Sequence, residues 1–100
     1  MAQEHHVVVK ADAVTADEAT KAVGCRYFGL TFRETAGSTG SVVVYDNASA
    51  ASGTILDSVG LAANAHANTW YGPQGITAVN GIYVDITGTL QGSVRVANGV

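Results

Sequence analysis

The chain has 100 residues and a formal net charge of −3, and only 13% of its residues are charged, about half the ~25% usual in globular domains. The five cations, Lys10, Lys21, Arg26, Arg33 and Arg95, are scattered along the sequence with no two adjacent. Neither the basic face of a nucleic-acid binder nor a polybasic membrane anchor is therefore expected. With 47% hydrophobic residues, so little charge implies one of two surfaces: one covered by neighbouring proteins, or one built from uncharged Gly, Ser, Thr and Asn.

The residues up to Lys10 lack the basic start and long apolar run of a secretion signal, and no stretch reaches the roughly 18 apolar residues of a membrane span. Val7, Val8 and Val9 are a β-branched run that reads as a first strand, with residues 1–10 as a whole either that strand or an N-terminal arm. Between Ala11 and Gly24 two readings compete. Thr15 and Glu18 have capping-box spacing and Gly24 stands where a helix stops, which predicts a short helix over Ala16 to Val23. Such a helix has almost no apolar stripe to pack with, so a loop or a second extended segment is preferred.

From Cys25 the pattern has a period of two. Phe28, Leu30 and Phe32 read as the buried face of a strand, with Arg26, Thr31 and Arg33 outside and Gly29 marking a bulge or a close backbone approach. Val42 to Tyr45 is a further strand, stopped by Asp46 and Asn47, and a small polar loop follows to Gly53. Thr54 to Leu61 reads as a strand with Ile55, Val59 and Leu61 inside; Asp57 interrupts it and suggests a bulge or a sheet edge. Ala62 to Thr69 is ambiguous, and Trp70 to Gly75, with two large aromatics and the only proline, reads as a structured loop. Asn80-Gly81 is a turn that leads into a strand with Ile82, Val84 and Ile86 inside and Tyr83, Asp85 and Thr87 outside. Gly88 to Gly92 reads as a hairpin connection, and Val94 and Val96 line the last strand. Six to eight short strands at about ten-residue spacing predict a single all-β domain over residues 1–100, an antiparallel β-sandwich or jelly-roll-like barrel.

No constellation of an enzyme or metal protein emerges. His5 and His6 are adjacent, so on a strand they point to opposite faces, and the only other histidine is His66. Cys25 is the sole cysteine, which excludes an intrachain disulfide, suits a reducing compartment and reads as a buried structural thiol. The serines, Ser38 to Ser93, read as turn and strand-end residues outside any nucleophile elbow. Asp46, Asp57 and Asp85 each lie in or beside a strand with nothing to pair them. No cofactor, metal or catalytic residue is expected. Trp70, Tyr71 and Tyr83 are the candidate contact residues, as rigid amphipathic anchors; the alternative for Trp70 and Tyr71 is closing one end of the core.

Val42-Val-Val-Tyr-Asp-Asn-Ala-Ser-Ala-Ala-Ser-Gly-Thr-Ile-Leu56 and the run from Gly75 to Val96, with Asn80-Gly-Ile-Tyr-Val-Asp-Ile-Thr-Gly-Thr89 at its centre, resemble a group of small tailed-bacteriophage virion proteins. The resemblance covers Arg26 to Val96 and is carried by turn and core residues. It implies a β-sandwich that decorates the phage head as a cement protein, a homo-oligomer and in particular a trimer, which clamps major capsid subunits on the capsid surface after assembly in the host cytoplasm. It identifies no contact residue. The other functions considered are a tail or head–tail joining component and a carbohydrate-binding module on the virion surface, in which Trp70, Tyr71 and Tyr83 stack on sugar rings.

Overall fold

The structure, a computed structural model, describes residues 9–98, so His5, His6, Val7 and Val8 lie outside the described residues. Among the described residues nine strands follow one another: β1 (Lys10–Ala13), β2 (Glu18–Lys21), β3 (Cys25–Glu34), β4 (Gly40–Tyr45), β5 (Ile55–Leu61), β6 (His66–Asn68), β7 (Ile76–Ala78), β8 (Ile82–Thr87) and β9 (Leu90–Asn98). They form two antiparallel sheets packed as a β-sandwich. One has the order β1-β9-β3, with β6 and β7 both pairing the far edge of β3; the other has the order β2-β8-β4-β5. Of the two architectures expected, the open sandwich is the one formed, and not a closed barrel.

Among the described residues there is no helix. Residues 18–21 form β2 against β8, and the Asp17 carboxylate accepts the Ile86 amide at 2.7 Å, which anchors this segment to β8. The extended reading of residues 16–23 holds and the helical one fails, because Ala and Thr without an apolar stripe have more to gain from a sheet edge. The first described strand begins at Lys10, and Val9 precedes it, 37% exposed. The link after β8 is not a hairpin: β8 and β9 belong to different sheets, and Leu90 and Gly92 already lie in β9, which pairs with β1 and β3. Gly88 and Thr89 thus carry the chain across the sandwich.

β3 is the spine. Cys25, Tyr27, Leu30 and Phe32 enter the core between the sheets, where they meet Val42, Val44, Leu61, Ile82, Val84, Val94 and Val96. Tyr27 and Leu30 cannot share a face on a regular strand, because residues three apart alternate. The reason is a bulge: Tyr27 pairs with Val96 and Gly29 with Arg95, which leaves Phe28 as an extra residue. Phe28 is fully buried but belongs to no part of the inter-sheet core; its ring lies under Trp70, with centroids 5.9 Å apart. The expectation that Phe28 shares a face with Leu30 and Phe32 is corrected accordingly. Gly29 does mark both a bulge and a close approach, with φ at 137° and the Thr69 carbonyl where a β-carbon would sit.

A second bulge shapes β5, the edge strand of its sheet. Val44 pairs with Asp57 and Tyr45 with Ile55, so Leu56 is extra. Val59 and Leu61 face the core as expected, whereas Ile55 turns outward and is 54% exposed. Asp57 keeps an inward position and is buried.

Candidate functional site

The richest polar cluster is built around Asp57. Its Oδ2 accepts the hydroxyls of Tyr27 and Thr69, both at 2.8 Å, and its Oδ1 accepts the Tyr71 hydroxyl and the Ser58 amide, both at 2.9 Å. The Thr69 hydroxyl in turn accepts the Leu30 amide at 2.9 Å. A carboxylate offers about four lone-pair positions, and here all four are taken. Asp57 therefore pins β5 of one sheet to β3 and the 69–71 segment of the other, and can act as a base only by giving up a partner. Burial first, and then the bond to Asp57, push the Tyr27 hydroxyl pKa far above the ordinary tyrosine range; the same causes raise that of Tyr71.

Two further carboxylates are consumed by backbone amides. Glu34 is buried at the end of β3 and accepts the amides of Ala36, Gly37, Ser38 and Asn64 at 2.8–3.0 Å. The Asn64 bond foremost, with those of Ala36, Ser38 and Gly37, holds its pKa below the usual carboxylate range against the opposing effect of burial. Asp46 accepts the amides of Val79 and Asn80 at 3.1 and 2.8 Å, and a β-carbon on Gly81 would press on the Lys21 carbonyl and the Asn47 backbone. The Tyr45-Asp46-Asn47 motif and the Asn80-Gly81 motif therefore meet in space and hold each other, 33–34 residues apart.

Of the three candidate contact residues, each points a different way. Residues 69–71 continue the edge of β3 through bonds from the Thr69 amide to the Leu30 carbonyl and from the Tyr71 amide to the Phe28 carbonyl. Thr69 and Tyr71 turn their hydroxyls inward to Asp57, so Trp70 between them turns outward; it is 57% exposed and braced on Phe28. Tyr83 lies on the outer face of the other sheet, where it pairs across strands with Tyr45. Cys25 is fully buried, and burial is the main cause of its raised pKa, with Lys21 opposing and Asp46 adding to it. Ser58 and Ser93 sit inside strands and not at their ends.

Sequence reasoning missed two features. Asp17 and Asp85 come together on the outer face of β8; burial and the Asp17 charge raise the Asp85 pKa. Arg26 and Arg33, expected outside, are joined on the outer face of the β3-β9 sheet by Arg95, which the sequence did not bring there: Arg26 pairs with Ala97, Arg33 with Gln91, and Arg95 with Gly29. Arg95 donates to the Thr31 hydroxyl at 2.7 Å, the Asn68 side-chain oxygen at 3.0 Å, and the Leu30 and Thr69 carbonyls, all of them neutral acceptors. No three His, Cys, Asp or Glu side chains gather into a metal-binding group among the described residues. Compared with known proteins, the chain matches no family model, no curated protein and no solved structure. The arrangement offers saturated polar clusters inside and two chemically different faces outside.

Proposed function

We propose that the chain is a structural virion protein that reinforces a tailed-phage head by bridging major capsid subunits, and that it acts by burying surface and not by chemistry. The phage setting rests on the resemblance of residues 26–96; the mode of action rests on one observation. Trp70 is held outward, 57% exposed, on a fully buried Phe28, and so is ordered before any partner arrives. An aromatic fixed in this way loses little entropy on binding and is a typical anchor of protein interfaces. Tyr71 turns inward to Asp57, and Trp70 and Tyr83 lie on opposite faces of the sandwich, which speaks against the sugar-binding module, since that needs a shared stacking platform. A tail or head–tail position would use the same anchor with a different partner.

The test is co-sedimentation of the purified chain with DNA-free heads stripped of accessory proteins, beside isolated tails. Binding to heads in a fixed ratio to capsid subunits, weakened at least about 30-fold by Trp70→Ala, is the expected result. Binding to tails alone, or to neither, overturns the head reading.

A further inference from the structure

Trp70 does not stand alone on its face. The amides of Thr69 and Tyr71 bond to the Leu30 and Phe28 carbonyls, which sets Trp70 level with Gly29, and Arg95 pairs with that same glycine. Along β3, Arg26 lies on one side of this level and Arg33 on the other, so the cations spread over roughly 20 Å of strand with the indole between the outer two. That length fits inside one interface patch of about 800 Å². None of the three charges is neutralised where it stands. Arg95 donates only to neutral oxygens, those of Thr31, Asn68, Leu30 and Thr69, and Arg26 donates to the Gln74 carbonyl at 2.8 Å. Arg33 is exposed between Gln91 of β9 and His66 of β6, with no carboxylate partner among the described residues. No Asp or Glu stands on this outer face among the described residues, whereas the outer face of β8 carries Asp85 with Asp17 beside it.

Like charges gathered on one face repel, and an oppositely charged surface relieves that repulsion. Arg26 and Arg95 are also held by their own hydrogen bonds before a partner arrives, so they lose little entropy in pairing with carboxylates, the acceptors that match a guanidinium fork. We infer that the capsid surface this face docks on is acidic: a pocket for the Trp70 ring, rimmed by Asp and Glu carboxylates that pair with Arg26, Arg33 and Arg95. The inference rests on the head-binding reading and adds the chemistry of the partner. The opposite signs of the two outer faces orient the chain on approach, since an acidic surface draws the arginine face and repels the Asp17–Asp85 face. Nucleic acid fits less well. Three cations neutralise few phosphates of a backbone charged along its whole length, and one exposed ring offers successive bases no stacking platform.

The experiment measures the association and dissociation rates of the purified full chain on immobilised DNA-free heads, at about 0.05 and 0.5 M salt, for the parent, Arg33→Glu and Trp70→Ala. Arg33 is substituted because Arg95 also ties down residues 68 and 69, and circular dichroism shows that each variant folds. The higher salt is expected to slow association of the parent at least about tenfold. Arg33→Glu slows it about tenfold at low salt and weakens the salt dependence, whereas Trp70→Ala speeds dissociation and keeps that dependence. Head binding whose rates ignore salt, or an Arg33→Glu variant that matches the parent, overturns the acidic partner and leaves the head reading standing. No binding to heads overturns both. A single-stranded oligonucleotide that binds the chain as tightly as heads do gives the face to nucleic acid and also overturns the inference.

Discussion

Asp57→Ala tests whether the buried carboxylate pins the two sheets. The substitution strands the Tyr27 hydroxyl, which is fully buried and has Asp57 as its partner at 2.8 Å. An orphaned buried donor costs about 1–3 kcal/mol, and each charge-assisted bond that disappears had contributed about 1.5–3 kcal/mol. Thr69 and Tyr71 are partly exposed and recover hydrogen bonds from water, so the expected loss is about 3–5 kcal/mol and not the sum of all four bonds. That is a large share of the roughly 5–15 kcal/mol that holds a domain together. The decisive measurement is a double-mutant cycle with Tyr27→Phe, read by urea unfolding. Removing the hydroxyl alone costs about 1.5–3 kcal/mol, whereas in the Asp57→Ala background it removes an orphan and is neutral or stabilising. A coupling of about 2 kcal/mol follows, and at a urea slope of about 1 kcal/mol per molar it displaces the midpoint by about 2 M. Equal costs of Tyr27→Phe in both backgrounds would refute the pin.

Gly29→Ala and Gly37→Ala separate backbone strain from collision. Both positions have positive φ, 137° and 74°, but a β-carbon at Gly37 meets nothing within 4 Å, while at Gly29 it runs into the Thr69 carbonyl. Gly37→Ala is expected to cost about 1–2 kcal/mol, and Gly29→Ala about 3–5 kcal/mol, strain and clash together; similar costs in chemical unfolding would dismiss the close approach at the bulge. For Glu34 the depressed pKa fixes the sign. The carboxylate's contribution is complete above the ordinary glutamate range and disappears as pH falls through its lowered folded-state value. Unfolding midpoints measured from pH 7 down to pH 3 should therefore fall in the parent chain and flatten in Glu34→Gln, and an unchanged pH slope in that variant would remove Glu34 from the account.

The all-β class and most strands were legible because Ile82–Ile86 and Val94–Val96 alternate plainly and Val42–Val44 is an unbroken β-branched run between turn residues, patterns with few physical readings. Sheet membership was not. Gly88 to Gly92 has the composition of a hairpin, yet it is where the chain changes sheet, and a glycine-rich turn looks the same in both settings. The Asp57 cluster was half legible: a lone carboxylate in an apolar strand signals a buried partner or an edge, but the partners Tyr27, Thr69 and Tyr71 lie 12–30 residues away. The two motifs that carried the phage resemblance turn out to brace each other through Asp46 and Gly81. They specify the fold, and the proposed capsid contact is assigned to Trp70 instead.

The expectation of Phe28 inside with Arg26 and Arg33 both outside is one that no regular strand can meet, since Arg26 and Phe28 have the same parity. Arg26 and Arg33 are seven positions apart, an odd number, so an unbroken strand would send them to opposite faces. The extra residue at Phe28 restores the parity, and the pairing of β3 with β9 then adds Arg95 to the same surface. One bulge thus performs two tasks. It moves an aromatic ring out of the core to seat Trp70, and it lets the chain's three arginines share one outer face of the sheet. A chain with net charge −3 thereby presents a cationic, aromatic face without any basic run in its sequence. Deleting the bulge would not merely strain β3; it would send Arg26 inward and leave Trp70 without its support, abolishing the surface on which the proposed head binding rests.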